Sequence, residues 1–277
     1  MMKNYPIRNN HHLESALGLS IEEIDSLTND LNSEGEKPKH YYRFVQRKMK
    51  NGKLKEREIT PSRYTLSLIQ DRIKDRILDQ IPLPDYVKGG RKNNDSASNA
   101  AKHKGKNHNF LTDIKEFFPR ITNKMVYDTF ILLGFIPSVA RCLTRLTTYK
   151  GHIPQGASTS TAVANIVFHY RVEKELEKII AANGLTYTRW VDDLTFSSQR
   201  EFKELVSSIL DTLNAGGFMH SHKKTLYKKG RVDITGADKG NNTMRPTKAI
   251  IEKMANPNLS EAQIRSYKSY DAMVRAK

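Results

Sequence analysis

Three aspartates in this chain could do chemistry together. Asp113 closes a short apolar run, Phe110-Leu111-Thr112, and Phe117 and Phe118 follow within five residues. Asp192 and Asp193 are adjacent, in Trp190-Val191-Asp192-Asp193, between Tyr187 and Phe196. Carboxylates at strand ends or tight turns are held rigidly yet stay open to solvent. Mg²⁺ needs such sites, because it takes oxygen ligands and keeps several waters. Two such ions could activate a hydroxyl and stabilise a leaving pyrophosphate in an in-line displacement. An Asp-Asp pair alone is weak evidence and fits a solvated turn better, since Asp is common there. The apolar flanks count against that reading, and so does the company the pair keeps.

The elements that must position these residues are legible in outline. Residues 109–113 form a short strand by composition. Residues 185–189 and 194–197 are two β-rich runs that put Asp192-Asp193 at a hairpin tip. Upstream, Leu13, Leu17, Ile21, Ile24 and Leu27 predict a helix over 13–31. A polar linker covers 32–39. A β-hairpin over 41–59 turns at Asn51-Gly52, and its return strand carries Lys53, Lys55 and Arg57. Pro61 opens a helix over 61–81. Residues 88–98 have the composition of a mobile basic loop. Helices are expected over 122–133, 137–148, 158–182 and 201–214, with Asn183-Gly184 ending the third. Residues 226–234 are β-like, and Ser260-Glu261-Ala262-Gln263 starts a final helix with a capping box. The order of strands and helices is not an alternating βαβ chain. It predicts an α+β fold with helices on one face of a small sheet.

Composition narrows the partner. The 277 residues carry 46 Lys and Arg against 30 Asp and Glu, a formal charge of +16. An excess of that size points to a polyanion whose phosphates Lys and Arg neutralise, releasing counterions. The single cysteine, Cys142, excludes an intramolecular disulfide and a cysteine-based zinc site, and fits a reducing compartment. Residues 1–10 lack an apolar signal core, and the longest apolar stretch, 130–140, is too short to span a bilayer and contains Pro137. A cytoplasmic protein without a membrane partner is the expectation.

Six segments fall in a particular order. The basic strand Lys53 to Arg57 comes first. Asp113 with Phe118 follows, then Ile153-Pro154-Gln155-Gly156-Ala157, then Asp192-Asp193, then Lys223-Lys224-Thr225, and last Ile234-Thr235-Gly236. Over roughly residues 40 to 250 this succession resembles the fingers and palm of reverse transcriptases. Asn99-Ala100-Ala101-Lys102-His103 is similar to the Asn-Ala-x-x-His signature of retron reverse transcriptases, and Ile234-Thr235-Gly236 to their Val-Thr-Gly signature. The resemblance implies a right-hand polymerase with a short or truncated thumb. It divides the chain into an N-terminal helical extension (1–39), fingers (40–108, with part of the palm interleaved), a palm (109–240) and a thumb-like helical C-terminus (241–277).

Carried over residue by residue, the resemblance implies these roles. Asp113, Asp192 and Asp193 hold two Mg²⁺ ions. Phe118 lies under the incoming sugar and excludes a ribose 2′-hydroxyl by a clash with one oxygen. Its alternative is a core phenylalanine, and Phe117 is the better core member of the pair. Gln155 and Gly156 position nucleotide and template. Arg57 holds the triphosphate with Lys55 or Lys53 assisting, unless the lysines merely guard a strand edge. Lys224 stands near the leaving pyrophosphate as proton donor or charge stabiliser, with Lys223 its ambiguous neighbour. Asn99 and His103, four apart and so on one helix face, support RNA recognition, or His103 is a buried residue that orders the loop. Thr235 and Gly236 form a turn that contacts RNA, or simply end a strand.

The chain departs from the family pattern at Trp190, where Tyr is usual, and at Ser158 and Thr161, where prolines are usual. Ile234 opens the second signature in place of Val, and the stretch after Gly236 is short for a thumb. The implied activity is RNA-directed DNA synthesis from dNTPs. A structured noncoding RNA serves as template and primer, and the product is a short single-stranded DNA linked to RNA (msDNA). The resemblance also implies an antiphage role with a separate effector protein. Three other readings stay open: another bacterial defence-associated or intron-type reverse transcriptase, a non-catalytic RNA-binding scaffold, and a nucleotide cyclase sharing a palm-like sheet.

Overall fold

The computed structural model describes residue 7 and residues 9–33, 39–50 and 53–277. The expected Asn51-Gly52 turn and most of the 32–39 linker lie outside these. The chain divides into two compact units, one of residues 1–83 and 116–171, the other of 84–115 and 172–277.

Among the described residues, the first unit is helical apart from one hairpin. Helices Asn10–Leu17, Ile21–Ser33, Tyr64–Arg76, Asn123–Leu132, Pro137–Thr147 and Ser160–Phe168 bury Leu13, Ile24, Leu66, Ile73, Phe130 and Leu143 among others. Pro137 opens its helix at the first turn, where the missing N–H costs nothing. Strands β1 (Phe44–Lys50) and β2 (Lys53–Ile59) pair antiparallel from Phe44↔Ile59 to Lys50↔Lys53. Their described side chains are mostly exposed, Met49 at 64% and Leu54 at 56%.

The second unit holds two antiparallel sheets. Strands β3 (His108–Asp113), β4 (Thr186–Trp190), β5 (Asp193–Ser198) and β6 (Leu226–Lys229) form a sheet in the order β4-β5-β3-β6. Strands β7 (Val232–Ile234), β8 (Ala237–Lys239) and β9 (Met244–Pro246) form the other. Phe110 faces Phe196 across β3 and β5 with ring centroids 5.8 Å apart, and Tyr187 stacks on Phe196 at 4.6 Å. Such cross-strand aromatic pairs fix register on a buried face. Helix Ser96–Ala101 packs on β4 and β8, and the C-terminal helix Glu261–Arg275 packs on β9. Among the described residues, no helix is long and apolar enough to cross a membrane.

Four expectations need correction. The helix over 13–31 is two helices, because Gly18 (φ 65°) ends the first in a left-handed cap. Ser20 and Glu23 then restart the chain with reciprocal side chain–backbone bonds. The helix expected from Pro61 starts at Tyr64, since Ser62 bridges to Tyr41, Pro61 O accepts from Tyr42 N–H and Arg63 is extended instead. The helix over 158–182 changes to a π-helical turn at His169–Glu173 before resuming as Lys174–Asn183, which Gly184 caps as expected. The β-like run 226–234 is split by Gly230 (φ 85°), so that β6 and β7 join different sheets.

Candidate active site

Strand register assembles the acidic residues. In the β3–β5 pairing Asp113 lies opposite Asp193, and in the β4–β5 hairpin Trp190 lies opposite Asp193, leaving Val191 and Asp192 as the turn. Ile114 N–H donates to Asp192 O at 2.9 Å, fastening that turn to the end of β3. One carboxylate oxygen from each of Asp113, Asp192 and Asp193 lies within 4.8 Å of the others. Asp113 is buried at 6% exposure.

The electrostatics follow from that crowding. Burial, and then the neighbouring Asp192 and Asp113 carboxylates, push the Asp193 carboxyl up to about 7. Lys224 forms an ion pair with Asp113 Oδ2. It comes from the turn His222–Lys224, which is itself anchored to β3: Ser221 N–H donates to Asp113 O at 2.7 Å, and the Thr225 and Thr112 hydroxyls bond at 2.9 Å. That anchoring puts Lys224, and not its neighbour Lys223, on the acidic trio. An all-oxygen donor set of carboxylates suits a hard divalent cation. Ligand atoms within 4.8 Å of one another could hold such an ion.

Four of the expected nucleotide-binding residues gather in the first unit. Lys55, Arg57 and Ile59 alternate along β2 and share one face, on which Lys55 and Arg57 are exposed. That face meets the Gln155-Gly156 turn. Thr60 N–H donates to Gln155 O at 2.7 Å, and a Cβ on Gly156 (φ 114°) would lie 2.8 Å from Ile59 Cγ2. Glycine is required there by its backbone angle and by Ile59. Phe118 is half-buried while Phe117 is buried against Phe168, ring centroids 5.7 Å apart. The two rings meet edge to face, centroids 5.6 Å apart, on a helical turn, Phe117–Arg120.

The two signature segments meet in the second unit. Asn99 Nδ2 donates to Thr235 Oγ1 at 3.3 Å, and Thr235 Oγ1 donates to Ser96 O at 2.9 Å. Thr235 (φ 46°) and Gly236 (φ 93°) make the left-handed turn between β7 and β8. Asn99 and His103 are both buried, and the His103 ring lies between Ser197 Oγ at 2.7 Å and Thr188 Oγ1 at 2.8 Å. Burial pushes the His103 imidazole down to about 3, helped by the charge of Lys239, so it is neutral near pH 7. A ring enclosed in this way orders β4 and β5 from inside. It has no surface to offer RNA.

The basic segment expected to be a mobile loop is strapped to β4. Lys88 and Gly89 N–H groups donate to Arg189 O, and the Arg91 guanidinium donates to Pro84 O and Val87 O. Sequence reasoning also passed over a buried ion pair, Arg189 with Glu173 at 2.6 Å, both fully inaccessible. Its one signal was a cationic side chain inside an otherwise uncharged β run.

Comparison with known proteins agrees with this geometry. A family model, reverse transcriptase (RNA-dependent DNA polymerase), matches residues 42–238. The retron Se72 reverse transcriptase of Salmonella heidelberg is 32% identical over 198 residues, 71% of this chain and 50% of that protein. The retron Ec86 reverse transcriptase of Escherichia coli is 28% identical over 232 residues, 82% of this chain and 69% of that one. The retron Mx162 reverse transcriptase of Myxococcus xanthus is 27% identical over 256 residues, 81% and 52%. The chain thus spans about half the length of the first and third of these relatives. The solved structure of telomerase from Candida albicans, in complex with a fragment of telomeric RNA, matches 78% of this chain and 50% of its own at 11% identity, TM-score 0.52. That likeness is one of fold, and it agrees with the expected α+β right-hand polymerase class. With the family model covering most of its length, the chain belongs to the reverse transcriptase (RNA-dependent DNA polymerase) family and is similar to its retron-type members.

Proposed function

We propose that this protein is a retron-type RNA-directed DNA polymerase that copies a structured noncoding RNA into short single-stranded DNA linked to RNA. The observation that carries the reading is the convergence of Asp113, Asp192 and Asp193, from two strands and a turn, within 4.8 Å. The donor set fits Mg²⁺, which these three residues would hold. When bound, a pair of such ions supplies activation of the primer hydroxyl and charge stabilisation of the leaving pyrophosphate.

The remaining steps belong to side chains. Lys224, paired with Asp113, delivers a proton or positive charge to the departing pyrophosphate. Arg57 holds the triphosphate with Lys55 beside it, two exposed cations on one strand face. Gln155 and Gly156 orient nucleotide and template next to that face. Phe118 selects deoxyribose by leaving no room for a 2′-hydroxyl. Asn99, Thr235 and Gly236 set the shape of an RNA-contacting surface, with His103 supporting it from within. The domains follow: an N-terminal extension (1–39), fingers (40–108), palm (109–240) and a thumb-like C-terminus (241–277). The partners are the template RNA, its DNA product, dNTPs and a separate effector protein, in an antiphage role in the cytoplasm.

The test is co-expression with the noncoding RNA encoded beside the gene, followed by a search for RNase-resistant short DNA. Wild type yields it and Asp192→Asn does not. Equal yield from the two, or none from wild type, refutes the proposal.

A further inference from the structure

The turn that carries Asp192 is strained and braced. Val191 adopts φ 59°, a left-handed conformation that a β-branched residue almost never takes without outside support. Two neighbours supply that support. The first is the buried Arg189 guanidinium. Its Nε and one terminal nitrogen grip Glu173 at 2.6 and 3.2 Å, and the other terminal nitrogen donates to Val191 O at 3.1 Å. Glu173 is fixed in turn by the Tyr187 hydroxyl, which donates to its Oε1 at 2.8 Å. The second is Gly89, on the strap bonded to Arg189 O. A Cβ there would lie 2.4 Å from Val191 N and 2.7 Å from Val191 Cγ2, so the strap lies flush against the turn only because residue 89 has no side chain.

A fully buried Arg–Glu pair is a poor device for stability, because desolvating both charges offsets much of their attraction. It is an effective device for geometry. The planar fork lets one cation hold Glu173 in two places and still point a third donor at a chosen carbonyl. A lysine in its place keeps the charge and loses the reach to Val191 O.

We propose that Arg189, oriented by Glu173, and Gly89 are positioning residues that clamp Val191, one at its carbonyl and the other at its amide and side chain, and so aim the Asp192 and Asp193 carboxylates at the metal site. This rests on the polymerase reading only for the identity of the reaction. The clamp itself concerns the affinity of the acidic trio for a divalent ion.

The test uses the full chain and Mn²⁺ alone, with free Mn²⁺ followed by electron paramagnetic resonance. Arg189→Lys should bind Mn²⁺ about 10–100-fold more weakly than wild type, the range for loss of a group that orients metal ligands. The Mg²⁺ concentration for half-maximal primer extension should rise in parallel, with KM for dNTP little changed. Gly89→Ala leaves the ion pair intact and presses on the turn at the Val191 amide and side chain. It should weaken Mn²⁺ binding too, and it decides the matter if Arg189→Lys does not fold. Adding Val191→Gly to Arg189→Lys should recover much of the affinity, since glycine holds φ 59° unaided. Folded Arg189→Lys or Gly89→Ala protein with wild-type Mn²⁺ affinity overturns the clamp, as does wild type that binds no Mn²⁺. Wild type that binds Mn²⁺ but extends no primer overturns the polymerase reading, and the Mn²⁺ comparison still decides the clamp.

Discussion

The β3–β5 sheet and the β1–β2 hairpin are both antiparallel, yet they are built on opposite terms. Between Leu194 and Ser198 every residue of β5 is buried, and the sheet ends in three carboxylates fixed by register and by a hydrogen bond to Asp192 O. The hairpin's described side chains are mostly exposed, and its described charges stand in solvent. Its ion pairs, Arg43 with Glu58 and Arg47 with Glu56, are exposed, and pairs of that kind contribute ~0–1 kcal/mol. Rigid presentation of a few atoms calls for burial on all sides. The proposed grip on a highly charged substrate would use long, exposed cations.

That contrast can be broken from either end. The largest effect should come from the rigid side. Asp192→Asn should lower nucleotide incorporation by at least ~10³-fold while melting temperature stays level or rises, because it removes like-charge repulsion on Asp193. A matching loss of stability would mean that the trio is structural. Next is the hairpin. Arg57→Ala should raise KM for dNTP about 10–100-fold, the worth of a charge-assisted contact, with kcat and melting temperature little changed. An unaltered KM would reduce the basic face to a guarded strand edge.

The third prediction concerns the inside of the sheet. His103 titrates at about 3 in the folded chain and ordinarily at 6.5. Between those values the unfolded chain binds the extra proton, so stability is complete above pH 6.5 and falls as pH drops toward 3. By pH 5 the loss should be about 2 kcal/mol, read from urea unfolding against His103→Gln, whose acid branch should be flatter. Coincident acid branches would contradict the buried neutral ring. The smallest effect belongs to Phe118→Val, which should cut discrimination against ribonucleotides roughly 10-fold. Unchanged selectivity would return Phe118 to the core.

The residues at the acidic centre were legible in the sequence because their signals are local. An apolar run ending in Asp113, and Asp192-Asp193 between two β runs, encode strand ends and a turn without help from the rest of the chain. The capping box at Ser260 and Gln263 and the left-handed cap at Gly184 were legible for the same reason. Apolar periodicity was weaker where one glycine divides a continuous pattern. Leu13 to Leu27 keep helical spacing across Gly18, and residues 226–234 keep β character across Gly230, so neither break shows in the hydrophobic pattern. What stayed hidden altogether was pairing over distance. Arg189 and Glu173 lie sixteen residues apart, Asn99 and Thr235 lie 136 apart, and no local spacing joins either pair. His103 is the case where spacing left support of RNA recognition and an ordering role inside the fold equally open, and where only the structure shows the ring enclosed.

The most direct test of the account is template-directed synthesis by the purified chain. It would use a defined RNA template with a DNA primer, dNTPs and increasing Mg²⁺, for wild type and Asp113→Asn in parallel. The account predicts Mg²⁺-dependent extension copied from the template by wild type and none above background by Asp113→Asn, with both proteins folded. Extension by Asp113→Asn at the wild-type rate, or a folded wild type that adds no nucleotide at any Mg²⁺ concentration, would contradict it.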